Sequence, residues 1–209
     1  MPQHPPQAQP IAQADARRHA VPGPHFILGL PRHTGACRLA QTLGLLRPTV
    51  TALVPMSPEV FAEYRKSSVV GYAQDNIASG RWPAEGAVAR SEVEFQEQLP
   101  QGLATPENYL FEIKESDGSP TVGYIWFAVE ERHGVRGAFV YDVEIKEEYR
   151  RLGHAVRAFQ ALEPIVVALG LSTIGLHVFG HNAGAQALYG KLGYAVTGIN
   201  MLKKLNSQA

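Results

Sequence analysis

A single cysteine, Cys37, stands among 209 residues. The chain therefore closes no disulfide within itself, and its cysteine usage gives no argument for an oxidising compartment. An excess of one charge is also missing: 19 Lys+Arg balance 19 Asp+Glu. That removes the overall basic footprint of a nucleic-acid binder. No apolar run reaches the roughly 20 residues a membrane-spanning helix needs. The basic start, continuous apolar run and small-residue cleavage site of a secretory signal are absent as well. These absences lead to the expectation of a soluble, cytoplasmic protein with neither nucleic acid nor membrane as partner. No metal is expected either. His177 and His181 are close in sequence, but no cysteine or carboxylate accompanies them to complete a ligand set.

What is present is a chain that is 45% hydrophobic, enough for a substantial core. Its charge is unevenly placed. Residues 1–48 hold five arginines and one acid, Asp15, whereas residues 57–115 hold ten acids and five bases, a net of −5. Residues 1–24 are rich in Pro, Gln, Ala and His without an apolar period, and residues 25–46 are Arg-containing and acid-poor. Together 1–47 reads as a disordered extension, and 48–209 as one folded domain.

Within that domain Thr49–Val54 reads as a strand. Ser57-Pro58 opens a helix, with a good N-cap followed by a proline suited to the first turn. Phe61, Tyr64, Ser68 and Tyr72 share a face of it, and Gly80 is its stop. Trp82-Pro83 is expected to start a second helix with Val88, Phe95 and Leu99 inward. The period then turns strand-like. Tyr109–Lys114, Val122–Val129 and Ala138–Ile145 form an antiparallel meander whose first turn carries Asp117-Gly118. A helix over 153–169, a strand over 173–179, a helix over 183–192 and one or two strands over 194–204 complete the chain. The order is that of an α+β fold around one mixed sheet.

The stretch from Val143 to Ala155 carries the chemistry. A β-branched strand ends at Ile145, a charged turn follows, and Arg150-x-x-Gly153-x-Ala155 leads into a helix. The first N–H groups of a helix have no intrahelical acceptor, and its dipole favours negative charge. Gly153 lets the backbone come close to a phosphate, and Arg150 and Arg151 add positive charge. A diphosphate is the natural occupant. A second stretch runs from Leu176 to Tyr194. In it Asn182 caps a helix, Leu188, Tyr189 and Leu192 are spaced along it, and Gly193 ends it.

Both stretches, in this order and spacing, resemble the GNAT superfamily of N-acetyltransferases over about residues 49–205. The resemblance implies a mixed, mostly antiparallel central sheet flanked by helices, and acetyl-CoA as co-substrate. It implies that backbone groups of Val143 and Ile145 pair with the pantetheine arm. It gives the diphosphate to backbone N–H groups of Arg151, Leu152, Gly153, His154 and Ala155, with Arg150 at the start. It sets Asn182 beside the arm and Tyr189 near the sulfur, as the acid that protonates the leaving thiolate. The acid role of Tyr189 is preferred to plain core packing.

The base is left open between Asp142 and Glu144, which share the strand face opposite Val143 and Ile145. Carboxylates in such positions are more often structural than catalytic. The acceptor is expected to be a primary amine of a small molecule or peptide, cationic if the acidic early region walls its site. A homodimer is left open. The rival reading is a module that binds acyl-CoA without turnover, against which intact Tyr189 and Asn182 argue.

Overall fold

The structure, a computed structural model, describes residues 51–115, 119–132 and 134–203. The 1–47 extension and the Asp117-Gly118 turn lie outside these residues. Five strands form one sheet in the order β1-β2-β3-β4-β5: Ala52–Pro55, Asn108–Lys114, Thr121–Arg132, Val135–Ile145 and Ile174–Leu176. The first three junctions are antiparallel and the last, β4 with β5, is parallel. Four helices flank the sheet: α1 Pro58–Ala78, α2 Ala87–Gln98, α3 His154–Ala168 and α4 Ala183–Lys191.

The strands alternate between two cores. Tyr124, Trp126, Phe139 and Tyr141 pack with Tyr64 of α1 and Phe95 of α2. Ile125, Phe127, Val140, Val143 and Ile145 pack with Phe159, Leu162 and Val166 of α3 and Tyr189 of α4. β3 is covered on both faces, so eight consecutive residues, Val122–Val129, are buried. A period of two then appears in which partner each residue meets rather than in exposure.

The first helix forms as its signals predict. Ser57 is extended, and its side chain accepts from the Val60 amide at 3.3 Å. Ser91 of α2 donates to the Val69 carbonyl at 2.7 Å, a buried bond that ties α2 to α1. Pro164 lies on the exposed side of α3, so the hydrogen bond it removes faces water.

Three expectations are corrected. The second helix begins at Ala87 rather than Trp82-Pro83, because Gly86 takes a left-handed φ of 69° just before it. Val88 is consequently 51% exposed, and Ala87 and Ser91 face the core with Phe95. The strand expected over 173–179 pairs only over Ile174–Leu176. Residues 194–203 form no strand, and Val196, Ile199, Met201 and Leu202 are largely exposed. A three-residue β5 offers little edge for a further strand to pair with.

Candidate active site

β4 changes character half-way along. Phe127 of β3 faces Val140 and Trp126 faces Asp142, so Tyr141 is an extra residue, a β-bulge. Before it, the Ala138 amide donates to Thr173 on the β5 side at 3.0 Å. After it, the Lys146 amide donates to Val122 on the β3 side at 2.9 Å. Both are even-numbered residues, so the bulge reverses which parity faces which neighbour. Backbone groups alternate along a strand. The amides of Val143 and Ile145 therefore face away from β3, toward the side where β5 has stopped pairing at Val140. Among the described residues no strand occupies that edge.

The bulge also sorts side chains. Tyr141 packs on the α1–α2 side, and Asp142 on the same side accepts from Tyr64 Oη at 2.8 Å. Val143 and Ile145 fall in the α3 core, while Glu144 returns to the α1 side, where Ser67 Oγ donates to it at 3.3 Å. Asp142 is 1% exposed. Its Oδ2 also lies 3.4 Å from Ser68 Oγ. Burial first, and then Glu144, push its pKa well above the usual carboxylate range. Glu144 is half-buried and burial raises its pKa too, against the opposing bond from Ser67.

At the end of β4 the chain makes a tight loop into α3. Arg150 donates from Nε to the Ile145 carbonyl at 2.8 Å, which closes the turn and leaves that carbonyl occupied. Arg151 takes a left-handed φ of 65° and Gly153 one of 83°, and both are exposed. Alternation of this kind turns successive N–H groups into one concavity, a nest for an anion. The N-terminus of α3, from His154, adds its unpaired amides. Leu152 is half exposed, Ala155 is partly buried, and His154 is buried with a ring that sequence reasoning gave no task.

His154 Nδ1 lies 3.0 Å from Arg157 Nη2, which can only donate. The ring proton therefore sits on Nε2. Glu115 Oε1 is 3.3 Å from Nε2, off hydrogen-bond geometry. Burial, then Arg157, depress the pKa of His154.

α4 sends Ala185 and Tyr189 into the core that holds Val143 and Ile145. Asn182 caps the helix, its Oδ1 accepting from the Ala185 amide at 3.0 Å. Tyr189 is buried edge-on to Phe159 and Tyr194, at ring separations of 5.5 Å each. Burial, then Tyr194 and Asp142, raise its pKa well above that of a free phenol. The hydroxyl thus stays protonated across the neutral range and is permanently a donor.

Sequence reasoning missed Ser67, Arg157 and Thr51 as neighbours of this site. The signal for Ser67 was a polar pair, Ser67-Ser68, inside a helix whose face packs on a sheet. No metal-binding cluster of three or more His, Cys, Asp or Glu occurs among the described residues.

The acetyltransferase (GNAT) family model matches residues 62–194. YycN of Bacillus subtilis (strain 168), named an uncharacterized N-acetyltransferase, is 36% identical over 153 residues, 73% of this chain and 97% of its own. YdgE of the same organism, named likewise, is 35% identical over 153 residues, with the same coverage. The crystal structure of YycN superposes with a TM-score of 0.71 at 35% identity, covering 74% of this chain and 98% of that one.

Proposed function

Because the chain belongs to the GNAT acetyltransferase family, an acetyl-CoA-dependent N-acetyltransferase of mixed α+β fold, we propose how its residues divide the work. The open edge of β4 and the loop over 150–155 hold acetyl-CoA. A primary amine is received on the α1 side, near Glu144. The observation that carries this reading is the bulge at Tyr141. It frees the amides of Val143 and Ile145 on the very edge that leads to the left-handed pair Arg151 and Gly153.

Acetyl-CoA supplies the acetyl group as a thioester. The amides of Val143 and Ile145 bind in the manner of an added strand. The N–H groups from Arg151 to Ala155 bind the diphosphate. Glu144 takes the proton the ammonium must lose, directly or through water. Its raised pKa makes it a better base near neutrality than an exposed glutamate. Asp142 shares its strand face but is fully buried and hydrogen-bonded to Tyr64. It supports the local field rather than the transfer itself. Tyr189 directs its Oη proton toward the charge that develops on the departing sulfur. Asn182 holds the start of α4 in place.

The acceptor is a cationic amine. The acidic bias of residues 57–115 supports this less than it first promised. Glu63, Glu92 and Glu112 are paired with Lys66, Arg65 and Lys114, and Glu107 with Arg136. The half-buried Glu144 is the stronger argument, because a carboxylate partly withdrawn from water attracts an ammonium with less screening than an exposed one. The test is CoA release with polyamines, aminoglycosides, peptide N-termini and acidic amino acids across a salt series. A cationic acceptor whose kcat/KM falls as salt rises supports the reading. A preference for an acidic acceptor, or acetyl-CoA binding without turnover of any amine, contradicts it.

A further inference from the structure

Arg157 has no part in that division of labour, yet its guanidinium makes three specific contacts around the loop. It stands in the first turn of α3 and reaches back past the helix start. Nη1 donates to the Leu152 carbonyl at 3.0 Å, Nη2 contacts His154 Nδ1 at 3.0 Å, and Nε donates to Thr51 Oγ1 at 2.9 Å. Thr51 precedes β1 and is 106 residues away in sequence. One planar fork thus joins the loop, the first residue of α3 and the far side of the sheet.

The loop needs such a restraint. Arg151 is a non-glycine residue in the left-handed region, at a cost of about 1 kcal/mol. The Leu152 carbonyl lies between two left-handed residues, where no regular structure supplies a partner. A Cβ on Gly153 would come within 2.8 Å of Arg157 Nη1. Glycine here therefore does more than permit the turn: it leaves room for the guanidinium to lie against the loop.

We propose that Arg157 is a positioning residue for acetyl-CoA, fixing the 151–155 loop through Leu152, His154 and Thr51. It acts through the loop and not by contact with the phosphates. The neutral state of His154 belongs to this arrangement, since only an unprotonated Nδ1 can accept from Arg157. The inference rests on the reading of that loop as the diphosphate cradle.

The test combines calorimetry with acetyl-CoA on the full chain and kinetics with the best acceptor of the screen. Arg157→Ala should raise Kd and KM for acetyl-CoA about ten-fold. Both kcat and the acceptor KM should change less than about two-fold. Thr51→Val, which leaves the arginine in place, should raise the acetyl-CoA Kd about three-fold and add nothing in the Arg157→Ala background. Arg157→Lys keeps the charge and loses the fork, so its Kd should stay raised by at least about five-fold.

Wild-type affinity in Arg157→Lys would mean that charge alone matters and would overturn the proposal. So would a kcat that falls in step with the KM change, or additive effects of Thr51→Val and Arg157→Ala. Should Arg157→Ala not fold, Arg157→Lys and Thr51→Val carry the test. The cradle itself is checked separately, by amide chemical shifts of residues 151–155 in the unaltered protein on adding CoA. Unmoved shifts refute the cradle. Moved shifts with normal binding in the Arg157 variants refute only the clamp.

Discussion

The two halves of β4 have the same strand geometry and opposite characters. Over Ala138–Val140 both edges are paired and both faces are packed with apolar side chains. Over Tyr141–Ile145 one edge is left by β5, and one face carries two carboxylates of raised pKa. A single extra residue separates them. The difference teaches that stability and chemistry are divided here by register, since one extra residue exchanges which of the later amides meet β3 and which meet the open edge.

The most damaging way to break that division is to delete Tyr141. The strand would then straighten into plain alternation, with Asp142 and Glu144 still on the α1 side but without the local kink and twist that the extra residue gives β4. Removing a buried aromatic side chain costs about 3–5 kcal/mol. The ring stacking of Tyr141 on Trp126, at 4.7 Å, would also be lost. Thermal unfolding should show a large loss of Tm or no cooperative transition. A folded deletion variant that binds acetyl-CoA normally would mean the bulge is incidental.

A smaller effect is expected at Tyr189, which packs in the core beside Val143 and Ile145. Tyr189→Phe keeps the packing on Phe159 and Tyr194 and removes one proton. kcat should fall on the order of 10²-fold, with acetyl-CoA affinity nearly unchanged. Because the ring is 3% exposed and well packed, unchanged kcat in a stable variant would assign the residue to the paired, structural half of the comparison.

The mildest test sharpens the contrast through pH. The folded pKa of Asp142 is raised above its ordinary 3.8, so the folded state holds that proton more tightly than the unfolded chain. The stability this provides is complete below about pH 4 and is lost as pH rises through the folded value. Asp142→Asn should remove this slope, so the variant gains relative to the parent as pH increases from 4.5 to 8. Parallel Tm curves for the two proteins would show that the aspartate is not a strained group.

How far the sequence foretold this can be traced element by element. The helix at Ser57-Pro58, the meander and the loop from Arg150 to Ala155 were legible, because caps, turn residues and period leave local marks. The second helix start was misplaced because Trp-Pro is a plausible opening, and only the left-handed Gly86 decides against it. The expected strands over 194–204 rested on apolar composition, which cannot reveal that β5 offers three residues of edge. In the site, Asp142 and Glu144 were identifiable by alternation with Val143 and Ile145. The bulge that aims them was not, since it depends on which residue of β3 faces which of β4. Arg157 and Thr51 were invisible for the same reason: their contact spans 106 positions and has no periodic signature.

The central claim is that the half of β4 left by β5 and the loop after it hold acetyl-CoA, while the paired half only supports them. NMR-detected amide hydrogen exchange, with and without CoA, tests it residue by residue. New protection is expected at the Val143 and Ile145 amides and at residues 151–155, with Ala138–Val140 unchanged. Protection that skips Val143 and Ile145, or that appears equally along both halves of the strand, would contradict it.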